Sequence, residues 1–224
     1  MPTDFNLGQH DAAQSNSPAS ATAWPRYKVR RIVTVSGRGA RGHFPSYKAR
    51  GRLQFESLVE EDALRVVEIA RTAANVRTQP EVLVLCVESR HFRYTPDVGF
   101  DWHGMPIFLE VKADQFGRSM ATVKRLWRVR SGMLAAGLAW RLVLEGELRA
   151  ASLQVELKDL LRLRPAPRRQ RSGLDFRAWD PVDGSPPPDD VTATRWARAQ
   201  AECDALLERV MQRDPGDLFP EIHN

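Results

Sequence analysis

Two carboxylates and a lysine, Asp97, Glu110 and Lys112, are spaced so that they can meet on one face of a β-hairpin. The dipeptide His103-Gly104 lies midway between the two acids and predicts a two-residue hairpin turn. In the register that this turn imposes, Asp97 lies opposite Glu110, and Lys112 follows two residues later on the same face. A three-residue loop closed by a bulge at Gly104 is the alternative geometry.

Such a pair of acids is suited to binding a metal ion. Directly opposed residues of an antiparallel pair have Cβ atoms ~4.5–5.5 Å apart, and two carboxylates that close repel by roughly 3 kcal/mol at an effective dielectric constant of about 20. A divalent cation removes this repulsion, because Mg²⁺ prefers oxygen ligands that converge from rigid elements. The alternative interpretation is that Asp97 and Glu110 are both solvated on an exposed sheet face, with Lys112 as a cross-strand neighbour.

The apolar residues of the same two segments support this register. They would pair with one another on the opposite face, Val98 with Leu109, Phe100 with Ile107 and Trp102 with Met105. A shift by one residue would place Asp97 opposite Leu109 and would mix polar and apolar residues on both faces.

The elements that must position this hairpin follow from hydrophobic periodicity. Apolar residues at three- and four-residue spacing predict helices over 54–71, 118–136 and 147–162, and a last helix near 191–213. Alternation and β-branched residues predict strands over 81–88, 93–102, 105–113 and 140–145. This order predicts an α/β domain with a mixed central sheet flanked by helices.

Composition divides the chain into four regions. Residues 1–24 are polar and aperiodic and predict a disordered tail, and residues 25–164 hold the predicted catalytic domain. Within that domain, 27–36 predict a strand and the glycine-rich stretch 37–48 predicts a loop. Residues 165–190 are rich in proline and arginine and predict a linker, which leaves 191–224 as a C-terminal helical segment.

Charge and cysteine content limit the function classes. The formal net charge of +5 is compatible with a polyanionic partner. The two cysteines, Cys86 and Cys203, cannot build a disulfide framework or a thiolate metal site, and His91 and His103 lack the spacing of zinc ligands. Without an apolar run long enough for a membrane span or a signal peptide, the sequence predicts a cytoplasmic protein with no membrane partner.

Two motifs resemble known nucleases. Pro96-Asp97 followed by Glu110-Val111-Lys112 resembles the signature of PD-(D/E)xK nucleases. The segment FESLVEEDAL, with Glu56, Ser57, Glu60 and Asp62, is similar to the helix that opens the domain of TnsA-family endonucleases, the nuclease subunits of heteromeric bacterial transposases. The segments 76–80, 94–97 and 108–112, and to a lesser extent Ser46-x-Lys48, follow in the family's order. The likeness covers roughly residues 27–164.

This resemblance implies a restriction-endonuclease-like core and a set of site residues. Glu60 would be the helix carboxylate, Asp97 the central metal ligand, Glu110 the second-strand ligand and Lys112 the catalytic lysine, with the Val111 carbonyl as a further ligand for Mg²⁺ or Mn²⁺. Glu60 falls at the border of the apolar stripe of its helix, but Glu56, one turn earlier, is an alternative. Asp62 is expected to be a buried structural acid, and Glu68 is expected to face solvent.

Family members cut one strand of double-stranded DNA at transposon ends, beside an integrase-type transposase and a regulatory ATPase, and the resemblance implies the same partners here. Basic residues are candidates for phosphate contacts: Lys48, Arg50, Arg52, Arg93, Lys124, Arg125 and Arg128. Two alternatives stay open. One is a restriction or junction-resolving nuclease on the same scaffold, and the other is a non-catalytic DNA-binding assembly subunit.

Overall fold

The computed structural model describes residues 40–164, 187 and 189–219. The predicted tail 1–24, the predicted strand 27–36 and most of the predicted linker 165–190 lie outside them. Along the chain the elements are β1 (Gly42–Phe44), β2 (Leu53–Phe55), α1 (Leu58–Ile69), β3 (Ala73–Thr78), β4 (Leu83–Val87), β5 (Arg90–Tyr94), β6 (Val98–Trp102), β7 (Met105–Lys112), α2 (Met120–Ala135), β8 (Trp140–Leu144), α3 (Glu145–Leu148), α4 (Leu153–Leu163) and α5 (Asp190–Gln212). Short 3₁₀ turns, Asp114–Arg118 and Pro215–Leu218, precede α2 and follow α5.

The main sheet has four strands in the order β3-β6-β7-β8. The first three are antiparallel neighbours, whereas β7 and β8 run parallel. Two small sheets, β1–β2 and β4–β5, accompany it. The predicted α/β fold with a mixed sheet flanked by helices is confirmed, and it is compatible with a restriction-endonuclease-like core. None of the helices in the described residues is both long and apolar enough to cross a membrane.

The β6–β7 hairpin has the predicted register. Val98 pairs with Leu109, Phe100 with Ile107 and Trp102 with Met105. His103 and Gly104 have φ angles of 48° and 84°, which is the left-handed geometry of a two-residue type I′ turn. The two-residue turn is therefore confirmed over the three-residue alternative. The apolar face is incomplete at its tip, because the Met105 side chain beside the turn is 52% exposed.

The sheet is buried on both faces. One core cluster joins α1, α4 and α5 to the face of the hairpin that carries Val98, Phe100 and Leu109. A second cluster joins α2 and the β4–β5 hairpin to the face that carries Phe108 and Leu142. Because Glu110 and Lys112 share the strand face of Phe108, this second layer surrounds the predicted metal ligands.

The C-terminal helix α5 packs into the first core cluster. It buries Trp196, Cys203 and Leu206 against the same cluster as α1. The carboxylate of Asp204 accepts hydrogen bonds from the Thr72 amide and hydroxyl, both at 3.0 Å. Burial of this face explains why the apolar periodicity of the last helix is so regular.

Three predicted elements are divided in the structure. The helix predicted over 54–71 begins only after β2, where Ser57 caps α1 by accepting a hydrogen bond from the Glu60 amide. The strand predicted over 93–102 is interrupted before β6, because Pro96 has no N–H to donate to a ladder. The helix predicted over 147–162 is two helices, α3 and α4, separated by residues 149–152, where Ala151 has a φ of 49°.

Besides β2, two further strands of the described residues were not predicted. Strand β3 is irregular, with a register shift against β6 between Ala74 and Arg77 and a φ of 51° at Asn75. Such a bulge interrupts the alternation that identifies a strand in sequence. Strand β1 lies within the stretch 37–48 that was predicted as a loop, and its three residues are too short to show a period.

Candidate metal centre

The candidate site lies where β6 begins, β7 ends and α1 begins. Asp97 immediately precedes β6, and Glu110 and Lys112 lie near the end of β7. Since β7 is an interior strand between β6 and β8 and helix α2 covers this face, the Glu110 side chain is only 2% exposed. The sheet thus holds one carboxylate deep in the site and the other at its rim, where the Asp97 side chain is 21% exposed.

The ammonium group of Lys112 lies at the centre of the site. Its Nζ is 2.7 Å from Glu110 Oε1, 2.9 Å from the Val111 carbonyl oxygen and 3.5 Å from Asp97 Oδ2. Burial lowers the pKa of Lys112, but the charges of Asp97 and Glu110 outweigh this effect and raise it. The three predicted oxygen ligands therefore surround a single positive charge, and the ammonium stands in for a bound cation.

Asp97 is held by the strand it faces. Its Oδ2 accepts a hydrogen bond from the Val111 amide at 2.8 Å, while its own carbonyl accepts from the Gln79 amide at 3.0 Å. The β6–β7 ladder ends at Val98, so Asp97 reaches the site from one residue beyond it. Burial, followed by the charge of Glu110, raises the pKa of Asp97 to about 7. The two acids therefore repel each other, as expected from the sequence.

Glu110 is oriented by residues that sequence reasoning missed. Its Oε2 accepts a hydrogen bond from the Tyr94 hydroxyl at 2.7 Å. The Tyr94 hydroxyl oxygen in turn accepts a hydrogen bond from Trp140 Nε1 at 2.8 Å. Burial and then the charge of Glu110 raise the pKa of Tyr94 well above its usual value, so the phenol remains a donor. On the other oxygen, Arg125 Nη2 lies 2.9 Å from Oε1. The pairing of Tyr94 with Trp140 is decided by the tertiary fold, since 46 residues separate them.

Glu60 has a structural task at the start of α1. Its two carboxylate oxygens accept hydrogen bonds from the Ser57 hydroxyl at 3.0 Å and the Glu56 amide at 2.8 Å. This resembles a capping box, in which an acid at the third helical position satisfies a free amide at the helix end. Burial raises the pKa of Glu60, and its negative charge raises the pKa of Asp97. Glu60 thus borders the site, and the predicted rival Glu56 lies directly beside it.

The donor set fits a divalent cation. Within the described residues, no group of three or more His, Cys, Asp or Glu side chains is arranged to hold a metal ion. Two carboxylates and a backbone carbonyl nevertheless converge on one positive charge, and these are the hard oxygen donors that Mg²⁺ and Mn²⁺ prefer. A divalent cation held by the same three oxygens would replace the Lys112 ammonium.

Two acids of α1 stabilise the fold. Asp62 is 2% exposed and accepts hydrogen bonds from Arg65 and from Arg149 Nε, the latter at 2.6 Å, which confirms the expected buried acid. The expectation that Glu68 faces solvent is wrong, because it is 4% exposed and accepts a hydrogen bond at 2.7 Å from Arg164 Nη1. Arg164 lies 96 positions away, so sequence periodicity could not reveal the pairing.

Two predicted DNA-contacting residues are engaged within the protein. Lys48 donates hydrogen bonds to the Val67 and Ala70 carbonyls at the end of α1, where a positive charge stabilises the helix. The prediction of Lys48 as a surface contact therefore disagrees with its structural use. Arg125 pairs with Glu110 in the DNA-free structure, but its side chain is 52% exposed, so its phosphate contact stays a prediction. The other candidates are exposed or partly exposed: Arg50, Arg52, Arg93, Lys124 and Arg128.

No protein-family model matches this chain, and no curated protein matches it significantly.

Proposed function

We propose that this chain is a divalent-metal-dependent endonuclease that hydrolyses phosphodiester bonds of double-stranded DNA. The observation that carries the proposal is the convergence of Asp97 Oδ2, Glu110 Oε1 and the Val111 carbonyl on one positive centre, at 3.5, 2.7 and 2.9 Å. These oxygen donors suit Mg²⁺ or Mn²⁺. A lysine among them, Lys112, supplies the positive charge that a reacting phosphate requires.

In this proposal Asp97, Glu110 and the Val111 carbonyl hold the metal, and Glu60 borders the site as a ligand for a second ion. The bound metal would lower the pKa of a water molecule and stabilise negative charge on the phosphoryl and leaving oxygens. Lys112 provides a further positive charge next to the attacked phosphate. Burial and the charge of Glu110 raise the pKa of Asp97 to about 7, and a bound divalent cation would favour its ionised form, as the Lys112 ammonium and the Val111 amide already do.

Tyr94 and Trp140 are positioning residues in the same proposal. Their hydrogen bonds fix the Glu110 carboxylate so that Oε1 points to the centre of the site. Partners of this kind orient a metal ligand, and their removal typically costs about 10–100-fold in metal affinity or activity.

The biological substrate we propose is a transposon end, of which the chain cuts one strand. The support is the resemblance of Glu56-Ser57-x-x-Glu60, Pro96-Asp97 and Glu110-Val111-Lys112 to TnsA-family endonucleases. By this resemblance, the chain acts with an integrase-type transposase and a regulatory ATPase. DNA positioning would then depend on those subunits together with nonspecific phosphate contacts.

The proposed function is tested with a plasmid that carries a candidate transposon end. We expect the chain, mixed with candidate transposase and ATPase partners, to nick one strand when Mg²⁺ or Mn²⁺ is present and not in EDTA. Cleavage of defined DNA by the chain alone would favour the restriction or junction-resolving alternative. DNA binding without cleavage under every metal and partner condition would favour the non-catalytic assembly subunit.

Glutamine substitutions distinguish Glu60 from Glu56. Glu60→Gln keeps one of the two acceptor oxygens and the length of the side chain but removes the charge beside Asp97. We expect it to lower cleavage by about 10–100-fold, in the range of residues that support a metal site, and to raise the metal concentration needed for half-maximal rate. Glu60→Ala should in addition cost about 1 kcal/mol of unfolding free energy through loss of the cap.

Glu56→Gln is the matched control, because Glu56 lies four positions before Glu60, just ahead of α1, and its amide donates to the Glu60 carboxylate. We expect its cleavage rate to stay close to that of the wild type at matched folded fraction. An inactive Glu56→Gln variant beside an active Glu60→Gln variant would show that the first motif is aligned one helical turn out of place.

A further inference from the structure

Arg125 occupies the same carboxylate oxygen as Lys112. It lies on α2, outside the hairpin and outside every motif described above, and its Nη2 is 2.9 Å from Glu110 Oε1. Lys112 Nζ lies 2.7 Å from that oxygen. A carboxylate oxygen offers two lone pairs, so the two cations together occupy the face of Glu110 that a metal ion needs.

The two cations differ in how they are held. The side chain of Lys112 is 22% exposed and has Asp97 and the Val111 carbonyl as further partners. The side chain of Arg125 is 52% exposed and reaches Glu110 from the solvent side. Arg125 can therefore leave Glu110 by a rotation of its side chain, without any change in the sheet.

The charges of the site indicate when Arg125 should leave. Glu60, Asp97 and Glu110 carry three negative charges when ionised, and Lys112 carries one positive charge. One divalent cation balances the remaining two, so the charge of Arg125 is in excess once a metal is bound. A DNA phosphate would supply the missing negative charge, and guanidinium groups bind phosphate through paired hydrogen bonds.

The surroundings of Arg125 suit a phosphate backbone. Lys124 is exposed beside it on α2, and Arg128 lies one turn further along the same side of the helix. The Arg128 guanidinium stacks 4.3 Å above the ring of Phe92 on β5. A basic face thus begins at Arg125, at the edge of the metal centre.

We propose that Arg125 is a positioning residue that exchanges between Glu110 in the DNA-free protein and a DNA phosphate in the complex. DNA binding then removes a competing cation from Glu110, and metal binding releases Arg125 for the phosphate. Each ligand therefore strengthens the binding of the other, because coupling between two sites is reciprocal. This inference rests on the proposed function, since it takes Glu110 as a metal ligand.

The test measures the dissociation constant of Mn²⁺ by electron paramagnetic resonance, with and without a short DNA duplex. For the wild type we expect the duplex to tighten Mn²⁺ binding by about 5–150-fold, the usual range of coupling between sites. Arg125→Ala should bind Mn²⁺ more tightly than the wild type without DNA, and the duplex should change its affinity little. If Arg125→Ala folds poorly, Arg125→Gln takes its place in the measurement. It keeps a hydrogen-bond donor without the charge, and we expect the same result.

Arg130→Ala is the matched control, because it removes a charge from α2 at a residue that pairs with Asp214 instead of Glu110 and is not part of the proposed DNA-binding face. It should keep the dependence of Mn²⁺ affinity on DNA. Unchanged or weaker Mn²⁺ binding by both Arg125 variants without DNA, or an unchanged effect of the duplex, would overturn the proposal.

Asp97→Ala separates this failure from failure of the proposed function. If Mn²⁺ binding is absent in the wild type or survives in Asp97→Ala, the metal centre itself is wrong, and the role of Arg125 fails with it.

Discussion

Replacing Asp97 with alanine is expected to lower metal-dependent strand cleavage by more than about 100-fold while the protein remains folded. The loss should exceed that of a residue which only supports a metal ligand, for which the usual cost is about 10–100-fold, because the Asp97 carboxylate is proposed to contact the metal itself. Its position at the rim of the site, where it precedes β6 and reaches across to the Val111 amide, means that the core does not depend on it. Cleavage rates at saturating Mg²⁺ measure the effect.

Asp101→Ala is the matched control, since Asp101 lies on the same hairpin at the far end of β6. Its carboxylate contacts Asn75 at 2.6 Å and Arg77 at 3.8 Å, away from the metal centre. We expect this variant to cleave DNA at close to the wild-type rate. Equal losses in the two variants would indicate a general effect of charge or stability on the hairpin, and retained cleavage in Asp97→Ala would refute its role as a ligand.

Asp97 also makes metal-free stability depend on pH in a direction that can be checked. Its pKa is raised from 3.8 to about 7 in the folded protein by burial and by Glu110. Between these values the folded state binds a proton that the unfolded state has released. The contribution of Asp97 to stability is therefore present at low pH and is lost as the pH rises through about 7. In urea unfolding without metal, Asp97→Asn should be more stable than the wild type at about pH 8. The difference in unfolding free energy between the two proteins should be smaller at about pH 5.

Arg164→Ala is expected to lower the free energy of unfolding by about 3–5 kcal/mol, the cost of breaking a buried ion pair from one side. The side chains of Arg164 and Glu68 are 4% and 1% exposed, and Arg164 also donates to the Pro45 carbonyl at 2.7 Å. Removal of the guanidinium takes away the charged hydrogen-bond donor of the buried Glu68 carboxylate and leaves the Ser46 hydroxyl and the Tyr47 amide as donors, with the Lys48 ammonium nearby. Denaturant unfolding at neutral pH measures the loss.

Arg195→Ala is the control for this prediction, because Arg195 also joins two elements through carboxylates but lies closer to solvent. It pairs with Glu156 at 2.8 Å and Asp159 at 2.5 Å, and its side chain is 30% exposed. An ion pair of this kind, which solvent screens, contributes little to stability. A similar loss in both variants would contradict the importance of burial at Arg164. The double variant Glu68→Leu/Arg164→Leu should recover part of the lost stability, because it removes both members of the buried pair.

Local patterns were sufficient for the hairpin that carries the candidate site. The turn at His103-Gly104 and the pairing of Val98 with Leu109 follow from turn chemistry and from a period of two, which act between residues close in sequence. The same holds for β7, β8 and α2, whose bounds differ from the predicted ones by one or two residues. The sequence by itself therefore determined that Asp97, Glu110 and Lys112 lie near one another, as well as the mixed α/β class that contains them.

The tertiary structure alone decided what surrounds those residues. Tyr94 of β5 and Arg125 of α2 contact the Glu110 carboxylate, and Trp140 of β8 donates to the Tyr94 hydroxyl. The partner of Glu68 lies at the end of α4, and α5 joins the core of α1. No local period encodes such contacts, because each depends on how distant elements pack around the sheet. The same packing gave Lys48 a structural role at the end of α1, where the last carbonyls of the helix need partners. The contacts of Glu60 with Glu56 and Ser57 are local to the start of that helix.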